Sequence, residues 1–157
     1  MSWDAVVAIC EMLGLIAIVM TLVYVARQIR ENTAAVASNT QQTHFAAWNA
    51  LSDLIIESSD VADLVRKGDR SNTSLSDSEA VRFEWLATKL FGLYESVFAD
   101  RTSGLIEAEI ADAYERYYLS YCCKPGFRSF WESHRSWYFH DFVAYLDQKM
   151  SEASSEE

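Results

Sequence analysis

From Ala5 to Ala26 the chain is apolar apart from one carboxylate, Glu11, and then turns abruptly polar at Arg27-Gln28-Ile29-Arg30. As a helix this stretch measures roughly 33 Å, enough to cross a hydrocarbon core of about 30 Å. Neither glycine nor proline follows before Gly68, so the helix is expected to continue beyond the apolar run. Residues 31–43 are polar and rich in Ala, Asn, Thr and Gln; from His44 an apolar stripe begins, His44, Trp48, Leu51 and Ile55. The helix is expected to end near Ser58-Ser59, with Asp60 capping a short helix through Lys67 and Gly68 closing it.

Asp69 to Leu75 reads as a polar loop, and Ser76-Asp77-Ser78-Glu79 as a capping box. The helix that follows carries two adjacent rows, Phe83, Leu86, Leu90, Leu93, Val97 and Ala87, Phe91, Tyr94, Phe98. So wide an apolar face predicts the central helix of a domain, with Gly92 allowing close approach of a neighbour. After Gly104 comes a helix over about 106–123 with an inner face of Ile110, Tyr114, Tyr117 and Tyr121. Pro125 then opens a short helix to His134. The last helix is expected over about 137–150, packing through Phe139, Val143 and Leu146. With one proline, five glycines and no strand-like alternation, the fold class is all-α. It combines a transmembrane helix, its long helical continuation and an up-and-down cytoplasmic bundle.

A carboxylate at the bilayer centre costs about 2.5–3.5 kcal/mol. The run also holds eleven Leu, Ile and Val residues, each contributing roughly −0.3 to −0.6 kcal/mol near the centre. Insertion therefore wins. Met1-Ser2-Trp3-Asp4 lacks the basic start of a signal peptide, and Tyr24-Val25-Ala26-Arg27 lacks a small-residue exit site. A retained anchor is expected, residues 1–30. Arg27 and Arg30 follow the run while no basic residue precedes it, which places the C-terminal side in the cytoplasm, with Trp3 and Tyr24 at the two interfaces. Residues 31–150 then form a helical cytoplasmic domain, 31–43 a polar stalk, and 151–157 a disordered acidic tail.

The net charge of −10 and the lack of any basic stripe argue against nucleic acid as a partner. Two juxtamembrane arginines fall short of a lipid-binding polybasic cluster. The three cysteines, Cys10, Cys122 and Cys123, suit a reducing compartment. The adjacent pair is read either as small buried hydrophobes or as a strained redox pair.

Cys10, Gly14, Ala17 and Thr21 fall on one narrow stripe, and small residues at this spacing let transmembrane helices approach. Glu11 lies at its edge. Either several copies bring their Glu11 carboxylates around an axis that selects cations or protons, or Glu11 stays protonated or reaches the headgroups. The polar stretch 32–43 can line such an axis or serve as a solvated stalk. Between Phe127 and Tyr145 eight aromatic residues are interleaved with Arg128, His134, Arg135 and His140. Trp131, His134, Trp137 and His140 are the candidates for a docking patch or ligand pocket, against the plainer reading of an aromatic core. His134 and His140 share no helical face, so no metal site is expected. His44 reads as a satisfied core residue. No Glu-x-x-His pair, phosphate-binding glycine loop, GxSxG elbow or HExxH helix is present. Catalysis and cofactors are accordingly not expected.

Met1-Ser2-Trp3, the apolar run and above all Tyr24-Val25-Ala26-Arg27-Gln28-Ile29-Arg30-Glu31-Asn32-Thr33 resemble a widespread family of short bacterial single-pass membrane proteins. These share an N-terminal transmembrane helix and a Gln-Ile-Arg-x-Asn-Thr junction. The helix start at Ser76 to Glu79 and the segment around Phe130-Trp131-Glu132 are similar as well. The resemblance implies a bacterial inner membrane and brings no activity with it. The resulting expectation is a self-associating scaffold or accessory subunit whose partners are the bilayer, further copies of itself and another membrane protein. A small oligomeric conduit built on Glu11 is the alternative, and a membrane-tethered enzyme or ligand sensor a third.

Overall fold

The computed structural model describes residues 2–70 and 75–155. Six α-helices follow one another, and among the described residues there is no strand: α1 Trp3–Glu57, α2 Ser59–Arg70, α3 Asp77–Thr102, α4 Ala108–Cys122, α5 Pro125–His134 and α6 His140–Ser155. A single 3₁₀ turn, Arg135–Trp137, joins α5 to α6. The fold is all-α, a long N-terminal helix followed by a helical bundle. It divides into two compact units, Met1–Asn39 and Thr40–Glu157.

In the second unit α3 is the centre, and α2, α4, α5 and α6 all pack on it. Both expected rows point inward: Phe83, Leu90 and Val97 of one and Ala87, Phe91 and Tyr94 of the other are buried. Phe91 lies nearly parallel to Trp131 of α5 with ring centres 5.1 Å apart, and Tyr94 stacks on Tyr118 of α4 at 5.0 Å. Each such side chain removed from water stabilises the fold by roughly 1.5–3 kcal/mol. Glu79 accepts hydrogen bonds from the Ser76 backbone N–H at 2.9 Å and hydroxyl at 2.8 Å, the expected capping box. Lys67 donates to the same carboxylate at 2.7 Å. That bond and the two from Ser76 hold the Glu79 carboxyl down at about 2.

Several expectations are corrected. Ser58, not Asp60, starts α2: its carbonyl accepts from Val61 and Ala62, and its hydroxyl oxygen from Val61 N–H at 3.4 Å. Gly68 does not close α2, which runs on to Arg70. A Cβ there would overlap the Phe83 ring, so this glycine serves close packing. Gly92 was expected in that role, but a Cβ there would meet open space. Of the expected loop 69–75, Asp69 and Arg70 are helical and residues 71–74 lie outside the described residues. The inner face of α4 is Ala111, Tyr118 and Cys122, one residue on from the expected phase, and Tyr117 is exposed. In α6 the packed residues are Phe142, Leu146 and Met150, whereas Phe139 is exposed. Residues 151–155 of the expected tail are helical, and 156–157 lie outside the described residues.

Candidate functional site

In the first unit α1 holds the one segment, among the described residues, long and apolar enough to cross a membrane, and none of its most apolar window is buried. Leu13, Leu15, Ile18, Val19 and Leu22 are all exposed. Cys10, Gly14, Ala17 and Thr21 recur at intervals of four, three and four on this helix. The Thr21 hydroxyl donates to the Ala17 carbonyl at 2.8 Å, so its hydrogen-bonding need is met inside the helix. A Cβ at Gly14 would meet nothing within 4 Å. Glu11 is exposed. Past the apolar segment Arg27 pairs with Glu31 at 2.8 Å, and Arg30 is exposed.

The four aromatic-segment candidates do not form one pocket. Trp131 is buried and donates from Nε1 to Asp147 Oδ1 at 2.7 Å. His134 stacks on Phe130 with ring centres 4.4 Å apart and meets Trp137 edge-on, also at 4.4 Å. Its Nδ1–H donates to the Phe130 carbonyl at 2.9 Å. The hollow beside His134, about 140 Å³, is lined by Leu75, Phe83, Glu84 and Phe130. Trp131 instead borders a separate, polar hollow with Arg128, Arg135 and Asp147. His140 is solvated at the start of α6, 3.6 Å from Asp141. The structure brings His134 to Trp137, and leaves Trp131 and His140 apart from them.

Two constellations join residues that no sequence spacing connects. The first clasps α1 to α3: His44, 5% exposed, places Nε2 2.7 Å from Asp100 Oδ2 and Nδ1 3.5 Å from Ser96 Oγ. Ser, His and Asp meet here, yet the Ser96 hydroxyl donates to the Leu93 carbonyl at 3.0 Å. The Ser96–His44 contact lies at the outer limit of a hydrogen bond, longer than the about 2.6–3.2 Å expected between a nucleophile and its base. Near by, Glu115 of α4 accepts from Arg101 at 3.0 Å, from Lys149 at 2.8 Å and from the Tyr145 hydroxyl. Burial pushes the Glu115 carboxyl up, but the bonds from Lys149 and Tyr145 and the charges of Lys149 and Arg101 outweigh it. The net effect holds Glu115 below the usual carboxylate range.

The second is a groove of about 480 Å³ between Phe45 and Trp48 of α1 and Glu109, Ile110, Ala113, Tyr114 and Tyr117 of α4. Trp48 and Tyr117 stand perpendicular with centres 4.2 Å apart and make one corner. Both also line a smaller cleft, about 190 Å³, that reaches Leu51, Leu90 and Phe127 in the core. Cys122 is buried in that core and burial pushes its thiol up, whereas Cys123 is half-buried. Among the described residues no three His, Cys, Asp or Glu converge as metal ligands. The chain matches no protein-family model, no curated protein and no solved structure.

Proposed function

We propose that this chain is a membrane-anchored, self-associating helical scaffold or accessory subunit, without catalysis of its own. The observation that carries the reading is the contrast between the two units. The second packs a core of large apolar side chains among its own helices, while the apolar segment of the first exposes nearly all of its own. An unbroken apolar surface of this kind needs a lipid or protein environment. Arg27 and Arg30 on the C-terminal side favour an outer N-terminal side and a cytoplasmic second unit. The resemblance at residues 24–33 favours a bacterial inner membrane. Cys10, Gly14, Ala17 and Thr21 supply a seam for parallel copies, and another membrane protein is the partner class the anchor would bring near.

The test is made in cells expressing the full chain. It should resist alkaline extraction from membranes, and its C-terminal unit should become protease-sensitive only in inverted vesicles. Extraction into the soluble fraction, or cleavage from outside intact cells, refutes the reading. Sedimentation in detergent should show an oligomer that Gly14→Leu and Ala17→Leu weaken toward monomer. The second reading, a small conduit, rests on the single carboxylate within the apolar segment. Reconstituted protein should then pass ions or protons and Glu11→Gln should not; equal, negligible flux from both removes it.

A further inference from the structure

We propose that the groove between α1 and α4 binds a free organic ammonium cation, its alkylated nitrogen set against Phe45, Trp48, Tyr114 and Tyr117 and its charge balanced by Glu109. This inference is independent of the membrane reading, because every lining residue belongs to the second unit. Four of the seven lining residues are aromatic. Aromatic faces attract cations through the ring quadrupole, and most strongly those whose alkyl substituents shed water easily. Burial pushes the Tyr114 and Tyr117 phenols up. Both rings therefore stay neutral at ordinary pH, and Glu109 is the one charged lining group.

Charge decides between ligand classes. No lysine, arginine or histidine lines the groove, and the chain carries a net charge of −10, so an anion would meet only repulsion. A single carboxylate falls short of the coordination an inorganic divalent ion requires. Glu109 forms no ion pair or side-chain hydrogen bond among the described residues, so its charge is not already committed. The volume, about 480 Å³, falls within the range of about 300–1,000 Å³ typical of small-molecule sites. A phospholipid headgroup would bring a phosphate close to its ammonium group, with no basic residue to receive it. The geometry thus favours a free cation over a lipid one.

The full chain in a maltoside detergent is titrated with choline and with benzyltrimethylammonium, followed by calorimetry and tryptophan fluorescence. Phosphocholine and 3,3-dimethyl-1-butanol, the neutral carbon isostere of choline, serve as controls. Saturable binding of both cations is expected, with both controls at least tenfold weaker than choline. Glu109→Gln and Phe45→Leu alter exposed residues, so each should weaken cation binding several-fold without moving the Tm. A missing saturable response to either cation overturns the proposal. So does isostere or phosphocholine binding as strong as that of choline, or parental affinity in both variants.

Discussion

Gly68 and Gly92 are both interior helix residues, and the structure gives them opposite roles. At Gly68 an added Cβ falls onto the Phe83 ring, itself 2% exposed and held between α2 and α5. The overlap reaches the ring body and not only its far end, so the Phe83 ring or α2 must shift and Gly68→Ala should cost about 1–3 kcal/mol. At Gly92 the Cβ meets nothing within 4 Å, and Gly92→Ala should stabilise by about 0.5–1 kcal/mol through helix propensity. Thermal melts of the full chain in detergent check both, and equal effects would contradict the packing argument. Glu115 belongs to the same scale. Its carboxyl is held below the ordinary value of 4.5 in the fold. Its stabilising contribution is therefore complete above about pH 4.5 and is lost as the pH falls through the lower folded value. Glu115→Gln should cost about 2 kcal/mol at neutral pH, between the values for surface and buried ion pairs. It should also flatten the acid limb of Tm measured from pH 3 to 7.

At the scale of elements, the C-terminal part of α1 is held to the bundle by His44, Trp48 and Leu51. Removing the imidazole strands the Asp100 carboxylate, and His44→Ala should cost about 1–3 kcal/mol. Leu51 is 2% exposed, and Leu51→Ala should cost about 2–5 kcal/mol. A His44/Asp100 double-mutant cycle should show coupling, and simple additivity would place the clasp outside the stabilising contacts. What the sequence made legible follows the strength of its pattern. α3 was readable because two full rows of large apolar residues admit one phase. α4 was misphased by a single residue because Tyr114, Tyr117, Tyr118 and Tyr121 satisfy two phases equally. The small Ala111 and Cys122 that select the right one carry little weight in a pattern of hydrophobic size. α6 starts late because Arg135–Trp137 form a 3₁₀ turn and Tyr138 is extended, ψ 162°, while the Phe139 N–H that this leaves at the helix start donates to Glu95 Oε1 at 2.7 Å, a partner on α3 that no local motif announces. The aromatic groove was invisible for the same reason, since Phe45 and Trp48 lie about seventy residues before the tyrosines that face them.

For the whole molecule, on the proposed membrane reading, the division into two units separates two solvents. Residues 1–39 contain three carboxylates and two arginines, so nearly all of the −10 net charge resides in residues 40–157. That second unit holds the buried core, with Phe91, Tyr118, Phe142 and Leu146 at 0% exposure. Ion pairs tie its helices: Lys67–Glu79 at 2.7 Å, Lys124–Asp69 at 2.8 Å and Arg101–Asp112 at 2.9 Å. A closed core with high like charge on its surface is the physical recipe for solubility. Working against it are Ile56 and Trp85, exposed at 79% and 72%. With Phe45, Leu54, Val81, Trp137 and Phe139 also exposed, these make small patches, Leu54 and Trp85 lining one hollow, but no continuous sheath like residues 12–25, so the charge should win. Residues 40–157 produced alone should stay in solution without detergent and unfold in one cooperative transition by near-ultraviolet circular dichroism. The full chain should need detergent under the same conditions. A fragment that aggregates or lacks a cooperative transition would show that the second unit depends on residues 1–39 for its stability, and the separation of the two solvents would then be wrong.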